Sequence, residues 1–278
     1  MKVLAPAKIN LFLEVKNRRP DGYHNIESIM QTVNLYDEIY IEPGKEKITF
    51  KCNTAGLPTD KTNLVFKAAM VLKETFGIRE GAKISLIKHI PVGAGLGGGS
   101  SDAAAVLKGL VKLWKIKITL KNLSKIASKI GADVPFFLTG GTAIATGIGD
   151  TIKPVKRLKS KHFILIFPGF PIFTSWVYQN LHFPLTRKRE INRIYTLLSS
   201  PSAPSYEGCF FNRLEEVVFR KYSEILIIKK TLEKHGCKSL MSGSGAAVFG
   251  EVSSAKMGEK IKAKLRNKKW KVWVVKSI

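Results

Sequence analysis

The chain has 278 residues, and 46 Lys or Arg against 21 Asp or Glu give it a formal net charge of +25 at pH 7. Its hydrophobic fraction of 45% and charged fraction of 24% are ordinary for a globular protein and exclude a disordered chain. This length suits two domains or one large one. The apolar stretches are far shorter than the roughly 20 residues of a membrane helix, and the first residues do not resemble a secretory signal, so we expect a cytoplasmic protein.

The positive charge favours polyanionic partners, which include nucleic acids, anionic membranes and phosphorylated metabolites. The lysines are spread over the whole chain, and the densest run, residues 256–276, carries Met257, Ile261 and Leu265 on one helical face. That pattern is typical of a solvated helix that packs on a core. The charge does not choose among these partners; for this helix we favour the solvated face over an RNA-binding surface, and RNA binding remains the alternative from another class.

Near the N-terminus, Ile9, Leu11, Leu13 and Val15 alternate with polar residues, which predicts a half-buried strand that ends at the R-P-D-G turn of residues 19–22. The hydrophobic patterns, caps and breakers that follow predict further elements. They are strands at 26–33, 38–41 and 47–52, a helix at 64–76, a strand at 83–89, helices at 101–114 and 119–130, and strands at 141–146 and 151–155.

After a basic segment at residues 156–161, which is typical of a linker, the predicted order of elements changes. It comprises a strand at 162–167, helical stretches, a helix at 220–235, strands at 238–241 and 246–252, a helix at 254–267 and a strand at 270–275. This β-α-β-β-α-β order with an insertion is ferredoxin-like. We therefore expect an α+β protein with an N-terminal α/β domain at residues 1–157 and a ferredoxin-like domain at 158–278, whose last strand is free to return to the first domain.

The glycine-rich segment between a predicted strand and a predicted helix, here called the glycine loop, is the most informative one. It consists of Pro91, Val92, Gly93, Ala94, Gly95, Leu96, Gly97, Gly98, Gly99, Ser100 and Ser101. Glycines let backbone N–H groups turn toward one ligand, and a helix N-terminus adds partial positive charge, so the segment predicts a phosphate site. No G-K-[ST] follows, and no acidic residue lies about 20 positions later, so a Walker loop is excluded and a dinucleotide site is disfavoured. A flexible linker is the remaining alternative, but the two serines and Asp102 can cap the helix.

A second glycine segment, residues 242–245 with the sequence S-G-S-G, is called the glycine turn. A tight hairpin is its default interpretation, although small residues also let a backbone approach a phosphate. Lys8 and Asn10 share the polar face of the first strand, where a single lysine is usually solvated. Asp133 stands among apolar neighbours and is interpreted either as a helix N-cap or as a catalytic carboxylate. Tyr23 and His24, which follow the turn at 19–22, can stack on and hydrogen-bond a base, or simply pack.

Five of these segments, in this order, resemble the motifs of the GHMP small-molecule kinases. They are P-A-K-I-N-L at 6–11, D-G-Y-H at 21–24, the glycine loop with the D-A-A that follows it, G-A-D-V-P-F at 131–136, and the glycine turn. The resemblance covers nearly the whole chain. The extended G-L-G-G-G-S-S-D run and the D-G-Y-H turn resemble the branch that acts on a cytidine diphosphate-linked methylerythritol, because relatives acting on homoserine or mevalonate usually carry a shorter loop.

The resemblance implies a two-domain GHMP kinase that uses ATP and Mg²⁺ to phosphorylate the C2 hydroxyl of its substrate. It assigns the catalytic pair to Lys8 and Asp133, with the carboxylate as base and the ammonium as its electrostatic partner. The glycine loop would bind ATP, and Ser100 or Ser101 is the expected contact to the metal.

For the substrate, the resemblance assigns cytosine recognition to Tyr23 and His24 and a second stacking ring to Tyr178. It also places Asn10 and Gly243 beside the substrate. A homoserine or mevalonate type of kinase is the alternative within the family. The expected state is a monomer or a dimer that binds small molecules and needs no macromolecular partner.

Overall fold

A computed structural model describes residues 1–155, 160–182, 210–265 and 269–278, which divide into two compact units built from interleaved segments. The first unit comprises Met1–Ala7, Leu35–Pro91 and Gly97–Gly140, and the second comprises Lys8–Asn34, Val92–Leu96 and Gly141–Ile278. The boundary expected at residue 157 lies outside the described residues, so it stays a prediction.

The helices and strands are numbered here in chain order. The strands are β1 (Lys2–Arg18), β2 (His24–Gly44), β3 (Ile48–Cys52), β4 (Gly81–Ile87), β5 (Thr142–Thr146), β6 (Thr151–Pro154), β7 (His162–Phe167), β8 (Phe211–Asn212), β9 (Lys238–Met241), β10 (Val248–Val252) and β11 (Lys271–Lys276). The helices are α1 (Leu64–Thr75), α2 (Gly98–Leu113), α3 (Leu120–Ser128), α4 (Val134–Thr139), α5 (Thr174–Gln179), α6 (Glu215–Lys221), α7 (Ser223–Lys234) and α8 (Ala255–Lys264).

The first unit combines a sheet with the helices α1 to α4. Its strand order is β3-β4-β2, with β3 parallel to β4 and β4 antiparallel to the second half of β2. Helix α1 begins where the sequence predicts, because the side chain of Asn63 accepts a 2.9 Å hydrogen bond from the N–H of Val65. Helix α2 packs on both α1 and α4, so its alanine-rich stretch is buried. This packing fixes the helix that continues the glycine loop.

The second unit contains two sheets. One has the order β6-β5-β2-β1-β8, in which β8 is parallel to β1. The other is antiparallel with the order β11-β7-β10-β9, and α7 and α8 pack on it. This sheet and its two helices confirm the predicted β-α-β-β-α-β arrangement. Strand β11 stays in this sheet, and its last residue and the two that follow reach β2: the N–H of Lys276 donates to Asn34 Oδ1 over 2.6 Å, and the N–H of Ile278 donates to the carbonyl of Thr32 over 3.1 Å.

Three sequence predictions about these elements are wrong in detail. The two strands predicted at 26–33 and 38–41 are one continuous strand, β2. The single helix predicted at 220–235 is two helices, because Tyr222 between them has φ −117° and ψ 76°, outside the helical region. The first strand is also not half-buried, since its polar residues Asn10 and Glu14 are as inaccessible as its apolar ones.

Strand β8 explains the buried charge on β1. The guanidinium of Arg213, directly after β8, donates to both carboxylate oxygens of Glu14, each over 2.8 Å, and both side chains are almost completely buried. The Arg213 backbone N–H also donates to the carbonyl of Leu13 over 2.9 Å. A charge-assisted bidentate pair of this kind fixes β8 on β1 in one register.

We expect Arg213→Met to lower the free energy of unfolding by roughly 3 to 5 kcal/mol, because the buried Glu14 carboxylate would lose its guanidinium. Urea titration followed by circular dichroism measures this change. Lys161→Met is the control, since its 2.8 Å pair with Glu251 is partly exposed and worth at most about 1 kcal/mol. Equal losses in the two variants would contradict the account of β8.

Candidate active site

Residues 92–96 of the glycine loop belong to the second unit and are held within it through their carbonyl groups. Four successive carbonyl oxygens accept hydrogen bonds: Gly93 from the N–H of Ile172 (3.0 Å), Ala94 from the N–H of Ala247 (3.0 Å), Gly95 from the hydroxyl of Ser242 (2.9 Å) and Leu96 from the N–H of Lys8 (2.9 Å). Since these carbonyl oxygens already accept hydrogen bonds from other residues, the loop would attract an anion through its N–H groups. This is the arrangement that a phosphate-binding loop requires.

The glycine loop and the glycine turn approach each other so closely that two positions need glycine. A Cβ on Gly95, where φ is +72°, would lie 2.0 Å from the carbonyl oxygen of Ser242. A Cβ on Gly243, where φ is +54°, would lie 3.1 Å from the Gly95 oxygen, 3.2 Å from Lys8 Nζ and 3.3 Å from Asn10 Oδ1. The backbone of the glycine turn therefore lies directly against the polar side chains of β1.

Lys8 is not a solvated lysine, so that default interpretation is wrong here. The residue is 4% exposed, and its ammonium donates a short hydrogen bond to Asn10 Oδ1. The amide of Asn10 donates to Ser28 Oγ over 2.8 Å, and that hydroxyl donates to the carbonyl of Phe12 over 2.7 Å. This chain of donors and acceptors holds a buried positive charge in a fixed position beside the glycine turn.

The helix after the glycine loop begins without a capping side chain, which corrects the expectation that the serines or Asp102 cap it. The N-cap of α2 is Gly97, in the left-handed conformation with φ +68°. Ser101 Oγ is buried and has no hydrogen-bond partner among the described residues. Asp102 instead turns its carboxylate toward Lys88, which follows β4.

Asp37, Lys88 and Asp102 form a buried cluster that the sequence analysis did not find. The Lys88 ammonium donates a short hydrogen bond to Asp37 Oδ2 and a 2.8 Å bond to Asp102 Oδ2, and Asp37 Oδ1 accepts from the backbone N–H of Ile90 over 2.8 Å. Burial raises the pKa of Asp102 to about 7, against the opposing attraction of Lys88. A lysine after a strand and an aspartate after a glycine run carry no spacing signal, so only the fold brings them together.

Asp133 stands at the N-cap position of α4, before a proline in the first turn, as one of its two interpretations expects, and its side chain makes no capping hydrogen bond. Its backbone is helical, with φ −80° and ψ −10°, and the helix after it is buried. A Cβ on Gly131 would lie 4.0 Å from Ser100 Oγ, so the segment before Asp133 runs beside the start of α2. Asp133, Ser100 and Ser101 belong to the first unit, and Lys8, Asn10 and Gly243 to the second.

The D-G-Y-H turn presents one exposed and one buried ring. Tyr23 is 61% exposed, whereas His24 is 8% exposed and lies against Tyr178, with ring centroids 5.2 Å apart and planes inclined by 32°. Burial and the charge of Arg18 lower the pKa of His24, which favours the neutral imidazole. Trp176 faces elsewhere, since Lys221 Nζ lies 4.3 Å from its ring. The structure thus brings together His24 and Tyr178 of the residues that the sequence assigns to base recognition.

Family models match both parts of the chain. The model of the GHMP kinase N-terminal domain matches residues 63–141, and that of the GHMP kinase C-terminal domain matches residues 190–272. The class of protein is therefore a GHMP kinase, an ATP-dependent enzyme of small-molecule phosphorylation. The fold agrees, since a homoserine kinase from Cytophaga hutchinsonii, at 22% identity, superposes with a TM-score of 0.76 over 99% of this chain and 93% of the other.

Closer relatives narrow the class. The 4-diphosphocytidyl-2-C-methyl-D-erythritol kinase of Geobacillus thermodenitrificans is 42% identical over 90% of this chain and 87% of the relative. The kinase of the same name from Bacillus pumilus is 38% identical over 100% of this chain and 98% of the relative. A crystal structure of 4-(cytidine 5'-diphospho)-2C-methyl-D-erythritol kinase, 34% identical, superposes with a TM-score of 0.84 over 100% of this chain and 99% of the other. The chain belongs to the family of 4-diphosphocytidyl-2-C-methyl-D-erythritol kinases.

The residues described above contain neither a cluster of metal-ligating side chains nor a membrane-spanning helix. Across those ranges, no three His, Cys, Asp or Glu side chains are grouped so as to hold a metal ion. None of the helices within them is both long and apolar enough to cross a membrane. The buried hydroxyl of Ser101, which has no hydrogen-bond partner among the described residues, is an oxygen donor of the kind that a divalent ion such as Mg²⁺ accepts.

We expect Asp102→Asn to gain stability relative to the parent as the pH rises from about 4 to about 7. The folded state holds the proton of Asp102 up to a pKa of about 7, whereas the unfolded state releases it near the ordinary value of 3.8, so ionisation in this window destabilises the parent. Urea midpoints of both proteins at pH 4.5, 6.0 and 7.5 measure the difference.

Asp60→Asn is the matched control for this pH series. Its carboxylate is fully exposed, and hydrogen bonds from Thr62 lower its pKa, so it is ionised throughout the window and its difference from the parent stays constant. A constant difference for Asp102→Asn as well would show that Asp102 does not take up a proton on folding.

Proposed function

We propose that the protein transfers the γ-phosphoryl group of ATP to the C2 hydroxyl of 4-diphosphocytidyl-2-C-methyl-D-erythritol, a step of isoprenoid precursor biosynthesis. The observation that carries this proposal is the extent of the match to kinases named for this substrate, at 38% identity over the entire chain. The neighbouring rings of His24 and Tyr178 support it as well, because aromatic side chains suit a nucleobase, and neither homoserine nor mevalonate has a base.

Asp133 is the general base in the proposed mechanism. Its carboxylate takes the proton from the C2 hydroxyl while the hydroxyl oxygen forms a bond to the γ-phosphorus. The bond between that phosphorus and the bridging β-γ oxygen breaks, and ADP leaves. The position of Asp133 supports this role, because the residue stands directly before a buried helix in a segment that runs beside the start of α2.

Lys8 stabilises the negative charge of the transferring phosphoryl group and keeps Asp133 ionised. A buried ammonium is more effective than a solvated one for this purpose, since the surrounding dielectric is low and the charge is already oriented. The support is the 4% exposure of Lys8 and its hydrogen bond to Asn10. Asn10 and Gly243 contact the substrate beside this ammonium.

The glycine loop and the first turn of α2 bind the ATP phosphates through N–H groups and the helix dipole. The engaged carbonyls of the loop support this orientation. Mg²⁺ bound by the phosphates would draw negative charge from them, and the hydroxyl of Ser100 or Ser101 would be its contact on the protein. Phosphoryl transfer asks little covalent chemistry of a protein, so alignment and charge carry the catalysis.

The cytosine base is recognised by Tyr23, His24 and Tyr178. The exposed ring of Tyr23 is available to stack on the base, and the neutral imidazole of His24 can present one acceptor and one donor to its polar edge. Such a site rejects a base whose donor and acceptor pattern differs.

A panel of substrates with ATP and Mg²⁺ tests the proposed function. We expect ADP release with 4-diphosphocytidyl-2-C-methyl-D-erythritol and none above background with homoserine or mevalonate. The uridine analogue should show a kcat/KM at least about tenfold lower, because replacing the cytosine amino group by a carbonyl leaves a buried polar partner unmatched. Equal use of homoserine would refute the proposal, and equal use of the uridine form would refute only the account of the base.

We expect Asp133→Asn and Lys8→Met each to lower kcat by about 10² to 10⁴, with folding retained. The double variant should be little worse than either single one, because residues that act as a unit are not additive. Steady-state kinetics with thermal melts measures this. Asp60→Asn and Lys161→Met are the charge-matched controls and should stay within threefold of the parent; fully multiplicative losses would show that Lys8 and Asp133 act separately.

A further inference from the structure

Asn212, the last residue of β8, binds the glycine turn and the residue before it, Met241 at the end of β9, through its amide group. Its Nδ2 donates to the carbonyl oxygens of Met241 and Gly243, each over 2.7 Å, and its Oδ1 accepts from the backbone N–H of Leu214 over 3.0 Å. The residue is 3% exposed. One buried side chain thus uses both donors and its acceptor to join β8, the end of β9 and the glycine turn.

Asn212 is itself fixed on the strand that carries the proposed catalytic lysine. Leu13 of β1 pairs with Asn212 in the parallel β1–β8 ladder. The next residue, Arg213, is bound to Glu14 by the buried ion pair described above. The glycine turn is thus connected to β8 by Asn212, and β8 is connected to β1 by strand pairing and by the ion pair.

The turn that Asn212 holds lies beside Lys8, where phosphoryl transfer is proposed to occur. The Cα of Gly243, whose carbonyl Asn212 holds, lies so close to Lys8 Nζ and Asn10 Oδ1 that a Cβ there would be 3.2 and 3.3 Å from them. The same turn donates from Ser242 Oγ to the carbonyl of Gly95 in the glycine loop. A shift of the turn would therefore move both the surroundings of Lys8 and the loop proposed to bind ATP.

We propose that Asn212 is a positioning residue of the phosphoryl-transfer site, which keeps the glycine turn in register with Lys8 and the glycine loop. This role rests on the proposed function, in which Lys8 stabilises the transferring group. Asn212 acts through the turn and touches neither substrate. Misplacement of groups by about an ångström lowers the rate of transfer far more than the binding of a substrate whose base is held elsewhere.

Gln31 offers a matched control in the same unit. It is also 3% exposed, its Nε2 donates to the carbonyls of Thr32 and Ile278, each over 2.9 Å, and its Oε1 accepts from the hydroxyl of Thr142. It thus makes the same number of bonds of the same kind, but none of them leads to the glycine turn. A purely structural role would give the two amides equal consequences.

The experiment compares Asn212→Ala and Asn212→Asp with Gln31→Ala and Gln31→Glu. The Ala variants remove both donors, and the acidic ones keep the acceptor while replacing the donors by a carboxylate oxygen. We expect both Asn212 variants to lower kcat at least tenfold while KM for the cytidine substrate stays within threefold. The Gln31 variants should keep kcat within threefold, although their melting temperatures fall by a similar amount.

Hydrogen exchange of the amides at 242–247 gives a readout that needs no turnover. Exchange there should be faster in Asn212→Ala than in the parent, and unchanged in Gln31→Ala. Equal kcat losses in the two series, an effect confined to KM, or unchanged exchange in the turn would each overturn the positioning role. So would a failure of both Asn212 variants to fold while both Gln31 variants fold. A parent without activity on the cytidine substrate would contradict the proposed function alone, because the exchange result still decides the role of Asn212.

Discussion

The structure depends on one constraint, which is that the polar side chains in the middle of β1 are buried and need partners from other segments. Lys8, Asn10 and Glu14 are at most 4% exposed, and an unsatisfied buried polar group or charge costs several kcal/mol. Ser28 of β2 accepts a hydrogen bond from Asn10, and Arg213, directly after β8, pairs with Glu14. The glycine turn lies against Lys8 and Asn10. The strand therefore selects its neighbours by hydrogen bonding as well as by burial of apolar surface.

Close backbone approach is the second requirement, and it follows from the first. The side chains of Lys8 and Asn10 lie so close to the glycine turn that they leave little room for a side chain at position 243, so glycine is needed there. Gly95 is needed where the glycine loop meets the same turn. Gly95 and Gly243 are thus explained by the close approach of the two segments. The ability to bind phosphate is compatible with this packing, because the hydrogen bonds to the protein use carbonyl groups and do not consume the loop N–H groups that an anion would need.

Much of the second unit could be predicted from sequence, because the periodicity of residues 162–167 and 238–252 and the flanking helical patterns specify β7, β9 and β10 almost to the residue. The glycine loop could be located for the same reason, since a glycine run between a strand and a helix is a local signal. The burial of Asn10 could not, because alternation of polar and apolar residues along a strand does not reveal what covers the polar face. Asn10 is covered by Ser28 of β2 and by the glycine turn, and no local pattern in β1 identifies these partners.

The clusters that the sequence analysis missed share a physical property, which is that their members are far apart in the chain. Asp37 and Lys88 are separated by 51 positions, and Glu14 and Arg213 by 199. In a chain with 46 basic residues, any carboxylate has many possible partners, so charge alone selects none of them. Burial makes the selection, because only the pairs that leave water in the folded chain must be matched.

The net charge of +25 and the buried site act over different distances. Screening at physiological salt limits the reach of surface charge to about 8 Å, so scattered lysines raise the encounter rate of any polyanion without distinguishing one from another. Under the proposed function both substrates are polyanions, and the surface charge would accelerate the approach of both. Discrimination must then come from groups that are shielded from salt, and the buried ammonium of Lys8 and the His24–Tyr178 pair are of that kind. Surface charge thus governs how often a ligand arrives, while burial governs which ligand reacts.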